Sequence, residues 1–113
     1  MVPYGDDEIL ARVASSLPLC DSTRWHAGGA FDITAKGGDK RLGIRKVLEH
    51  YGFAKEECAA IGDGYNDIPM LRYAGVGIAM GNGSDEVKAA ADYVTAPIDR
   101  NGLLHGVEYL LTL

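Results

Sequence analysis

The chain has 113 residues, 47% of them hydrophobic, enough for one buried core in the usual single-domain range. Its 16 acidic residues against 11 basic ones leave a net charge of -5, which argues against nucleic acid as the main partner, because phosphate backbones call for clustered Lys and Arg. No apolar run reaches membrane-spanning length and no signal-peptide pattern follows Met1, so the default expectation is a cytoplasmic protein with no membrane partner.

The first third reads as a small α+β piece. Asp6-Asp7 offers caps for a helix over residues 8–16, with Ile9, Leu10 and Val13 as its apolar stripe and Pro18 ending it. Residues 19–25 and 30–34 read as two short strands. They are joined through His26-Ala27-Gly28-Gly29, whose glycine pair suits a hairpin turn. Trp25 reads as a packing residue, with a substrate platform as the alternative. Cys20 and Cys58 lie far apart and outside any CxxC pair, so both are expected as free thiols in a reducing compartment.

Lys36-Gly37-Gly38-Asp39-Lys40-Arg41 is the next punctuation. Asp39 can cap a helix running to about Tyr51, with Leu42, Val47 and Leu48 facing inward and Gly52 ending it. Lys40 stands in the first turn of that helix, where the dipole prefers anions, so it calls for an anionic partner. A phosphoryl group would answer that need, and a solvated lysine among Lys36, Arg41, Arg45 and Lys46 is the plainer reading.

The stretch from Cys58 to Leu71, CAAIGDGYNDIPML, organises the rest. It reads as a buried strand, a turn made sharp by Gly62 and Gly64, and a short helix over residues 68–73 with Pro69 in its first turn. Asp63 falls at the carboxyl end of a parallel strand, where open α/β sheets bind ligands. Asp67 lies four residues on, and Asn66 or Asp67 is placed to cap the helix. Two carboxylates on one loop suit Mg2+, which takes few protein oxygens and keeps waters or phosphate oxygens. Taken alone, Gly-Asp-Gly also reads as a plain turn and Asp67 as a plain cap.

The pattern then repeats. Residues 75–80 form a buried strand. Gly81-Asn82-Gly83-Ser84 turns into a helix from Asp85 to about Ala91, with Ser84 or Asp85 as its cap. Residues 92–95 are another strand, broken by Pro97, and a last helix covers 103–111. From Lys40 onward, helices alternate with strands, which spells a parallel sheet with covering helices. His26, His50 and His105 give no metal spacing.

GDGYNDIPML followed by AGVGIAMGN resembles the fourth motif of the haloacid dehalogenase (HAD) superfamily, in its Cof-type sugar-phosphate phosphatase branch. Lys36 to Lys40 resembles that branch's third motif, K-G-x-x-K-G, with Arg41 in place of the final glycine. Arg24-Trp25 and Phe31-Asp32-Ile33 match the tail of its mobile cap domain.

The resemblance implies a Rossmann-like core in residues 36–113 and the end of a cap in residues 1–35. It implies a Mg2+-dependent phosphomonoesterase acting on small phosphorylated metabolites. Lys40 would clamp phosphate, Asp63 and Asp67 would serve the metal, Asn66 would neighbour the site and Asn82 would lie at its rim. The family's nucleophile stands in a DxD motif, and no DxD follows a buried strand here. The resemblance therefore implies a carboxyl-terminal half, inactive alone. The alternative is a binding module that pairs through an exposed sheet edge, as a homo-oligomer or with an amino-terminal chain carrying the DxD. A receiver-type phosphoacceptor would place its acids early and its lysine late, the reverse of the order here.

Overall fold

The computed structural model describes residues 7–25 and 28–113. The Asp6 cap and the His26-Ala27 part of the hairpin turn lie outside the described residues. The chain divides into two compact units, Met1–Asp39 and Lys40–Leu113.

In the first unit, α1 (Asp7–Ser15) accompanies an antiparallel hairpin of β1 (Cys20–Arg24) and β2 (Phe31–Ala35). Gly28 and Gly29 both have φ of 75°, the left-handed backbone that glycine adopts without strain. Asp7 ties the helix to this turn: its Oδ1 accepts the Gly29 N–H at 2.7 Å and its Oδ2 pairs with Arg24. The buried face of α1 is Leu10 and Ala14, one turn apart, so Leu10 alone of the expected stripe is buried. Ile9 and Val13 are exposed.

The second unit holds a parallel sheet of β3 (Ala59–Gly62), β4 (Val76–Ala79) and β5 (Tyr93–Val94), in that spatial order. The helices are α2 (Lys40–Tyr51), α3 (Ile68–Tyr73), α4 (Asp85–Ala89) and α5 (Gly102–Leu110). Both ends of α2 fall where the sequence puts them, and Gly52 closes it with φ of 75°. Its expected inward face needs correction. Leu42 and Leu48 are half-buried together with Ile44, while Val47 is 55% exposed, because the 3.6-residue period carries it off the Ile44–Leu48 line.

Strand alternation sends side chains to two packed faces. On one, Ala60, Leu71, Ala74, Ala79 and Val87 form the core cluster, with Tyr65, Ile68 and Met70 against it. On the other, Ile61 and Ile78 stand side by side in register. Gly106 of α5 passes so close that an added Cβ would meet Ile61 Cδ1 at 3.3 Å and Ile78 Cγ2 at 3.6 Å. Leu71, Ile78 and Val87 are almost wholly buried, each contributing about 1.5–3 kcal/mol. Both cysteines are free thiols, and no helix among the described residues is long and apolar enough to cross a membrane.

Candidate active site

Asp63 follows directly on the last residue of β3, so its carboxylate stands at the carboxyl end of the parallel sheet. A single 3-10 turn, Tyr65–Asp67, separates it from α3. Gly62 and Gly64 are not needed for left-handed backbone, since neither has positive φ. Gly62 is required for room: a Cβ there would lie 2.6 Å from the Cβ and Oδ2 of Asp67.

Asp67 is the N-cap residue of α3, yet its side chain makes no cap hydrogen bond. The carboxylate turns back instead. Its Oδ2 accepts the backbone N–H groups of Asp63 and Gly64, both at 3.0 Å. Its Oδ1 accepts from Lys40 Nζ at 2.5 Å. Only 7% of the Asp67 side chain is exposed, against 51% for Lys40. A buried carboxylate without partners would be costly, and here both oxygens are used. The anion that the position of Lys40 called for is thus supplied within the chain, across the start of α2.

Asp63 itself is exposed. Its Oδ2 accepts from Asn82 Nδ2 at 2.9 Å. Asn82 in turn accepts the Ile98 N–H on its Oδ1 at 2.9 Å. Asn66 is half-buried in the same turn, and its Oδ1 lies 2.7 Å from where a Cβ on Gly64 would stand. Lys40, Asp67, Asp63 and Asn82 therefore form one continuous line of hydrogen bonds, with Asn66 beside it.

The expected Ser84 cap does not form. Ser84 is the N-cap residue of α4, but its Oγ is buried without a hydrogen-bond partner among the described residues. The sequence reading did not single out Ile98, whose backbone N–H carries no residue-type signal. Nor did it assign the glycines flanking Asn82 a packing role. Their pairing around one polar residue was the available clue.

The line of groups holds no cluster of three or more His, Cys, Asp or Glu suited to a metal, among the described residues. It does present the exposed Asp63 carboxylate at the sheet's carboxyl edge. That donor suits a hard cation that keeps most of its ligands as water or phosphate oxygen.

The haloacid dehalogenase-like hydrolase model matches residues 5–107. The chain belongs to that family. It is 46% identical over 87 residues to an uncharacterized protein in the pdhA 5′ region of Geobacillus stearothermophilus, covering 77% of this HAD chain and 90% of that one. It is 42% identical over 96 residues to the putative phosphatase YkrA of Bacillus subtilis, covering 85% of this chain and 37% of YkrA. Among solved structures, the HAD subclass IIB sugar phosphatase BT4131 matches with a TM-score of 0.83 and 44% identity. That match covers 97% of this chain and 42% of BT4131. The HAD chain thus spans about two fifths of the length of these two phosphatases, and its parallel sheet with covering helices is part of their α/β fold.

Proposed function

We propose that this chain carries the lysine and metal half of a Mg2+-dependent HAD phosphomonoesterase acting on small phosphorylated metabolites. The observation that carries the reading is the line Lys40–Asp67–Asp63 at the carboxyl edge of β3. In this reading residues 1–35 are the end of a cap and residues 36–113 the second half of the catalytic core. The similarity to phosphatases supports the substrate class.

Asp63 would hold Mg2+ through its exposed carboxylate, and a bound Mg2+ neutralises charge on a phosphoryl group. Asp67 orders the loop: by taking the Asp63 and Gly64 N–H groups it fixes the direction in which Asp63 leaves the strand. By holding the Lys40 ammonium it positions a point charge for a phosphoryl oxygen. Asn66 and Asn82 supply polar groups at the rim. In these 113 residues no DxD follows a buried strand. Without that attacking carboxylate the covalent step has no nucleophile, and we expect no turnover from this polypeptide by itself.

A second reading is favoured by one observation: among the described residues β3 ends the parallel sheet and pairs with β4 alone. Such an edge suits pairing with a second copy or with a chain that carries the DxD. Two measurements address them. The purified chain is assayed with an aryl phosphate and Mg2+ at several protein concentrations, beside Asp63→Ala. We expect no hydrolysis above the Asp63→Ala control. Turnover abolished by Asp63→Ala and proportional to protein would reveal a nucleophile within this chain and overturn the half-site reading. Thermal stability that rises with protein concentration would favour the pairing reading.

A further inference from the structure

We infer that Asn82 is a positioning residue that couples Asp63 to the segment around Ile98, and that it acts on a metal or phosphate only through Asp63. The inference rests on the proposed metal role of Asp63. Both ends of the Asn82 amide are engaged: Nδ2 donates to Asp63 Oδ2 and Oδ1 accepts the Ile98 N–H. An amide engaged at both ends is a strut between two loops, and it keeps one N–H and one lone pair besides.

The backbone on either side shows the same wedge. At Gly81 a Cβ would lie 2.7 Å from Pro97 N and 2.8 Å from Thr95 O, and the Gly81 N–H donates to Ala96 O at 3.2 Å. At Gly83 a Cβ would lie 3.2 Å from Asp63 O. The glycines thus let the turn press against the 95–98 segment on one side and the Asp63 loop on the other. Asn82 stands between them and joins the two by hydrogen bonds. Holding Asp63 Oδ2 restrains the carboxylate's rotation and leaves Oδ1 outside that hydrogen bond. A residue that orients a metal-binding carboxylate in this way typically changes metal affinity 10–100-fold when removed. With Asp63 and Asn82 both exposed, the lower end, about tenfold, is expected here.

The test is a Mg2+ titration of the 15N-labelled chain, following the backbone amides of Asp63, Gly64 and Ile98. In the wild type all three should move with one Kd. In Asn82→Ala the Gly64 response should persist with Kd about tenfold weaker, and the Ile98 response should vanish. A purely structural role for Asn82 would not separate Ile98 from Gly64. A silent Ile98 in the wild type, or an Asn82→Ala chain that keeps either its Kd or its Ile98 response, overturns the inference. Failure of Asp63 and Gly64 to titrate in the wild type would instead remove the metal role of Asp63. The strut is then decided without metal: faster exchange of the Ile98 amide in Asp63→Ala supports it, and unchanged exchange overturns it.

Discussion

Replacing Asp67 by Ala should destabilise the second unit far more than replacing its partner Lys40 by Met. The carboxylate is 7% exposed and serves three donors. Its loss strands the Asp63 and Gly64 N–H groups in a part-buried turn, and each unsatisfied donor costs about 1–3 kcal/mol. The lower end applies, because water reaches part of this turn, giving about 2 kcal/mol for the two. The Lys40 pair adds little: with 51% of the lysine side chain exposed, the contact is screened and is worth no more than about 1 kcal/mol. Asp67→Ala should thus cost about 3 kcal/mol, and Lys40→Met about 1 kcal/mol or less. Urea unfolding followed at the amides of Ile78 and Val87, both fully buried in this unit, would measure it without interference from the hairpin unit. If Asp67→Ala stays within about 0.5 kcal/mol of the wild type, or Lys40→Met costs as much as Asp67→Ala, the carboxylate is not what orders the loop.

Two further outcomes follow from packing. Gly62→Ala should cost roughly 1–3 kcal/mol, because its methyl falls on Asp67, and it should speed amide exchange at Asp63 and Gly64. Wild-type exchange rates there would contradict the room argument. Leu71→Ala, at a site 1% exposed, should cost about 2–5 kcal/mol by urea unfolding. Because the substitution removes no group of the polar line, the Asp63 and Gly64 amides should keep their shifts, which a spectrum of the folded variant checks.

What the sequence showed and what it hid divide along physical lines. The helix Lys40–Tyr51 was legible to both ends because its period, its length and Gly52 agree. The three strands were legible as short apolar runs bounded by glycine and proline. Asp63 and Lys40 stood out through position alone, one at a strand end and the other on the wrong end of a helix dipole. The partners of Asp67 were not legible. A residue at an N-cap position normally looks forward into its helix, and here the carboxylate looks backward because Gly62 leaves it the space. Val47 and Ser84 depart from their expected places for a related reason. Local pattern gives a residue's face or cap potential, and the neighbouring elements decide whether that face is covered or that hydroxyl finds a donor.

The strands of the second unit lie side by side in the order they occur in the chain, so each pairs with the one just made. The exception to this local order is α5, the last helix, which returns to lie against Ile61 in the first strand. Vectorial synthesis therefore delivers the Asp63 loop early and its backing late. Until Gly106 has left the ribosome, Ile61 and Ile78 lack the helix that packs against them. Folding of this unit should accordingly complete when α5 packs onto β3, after the sheet itself has paired.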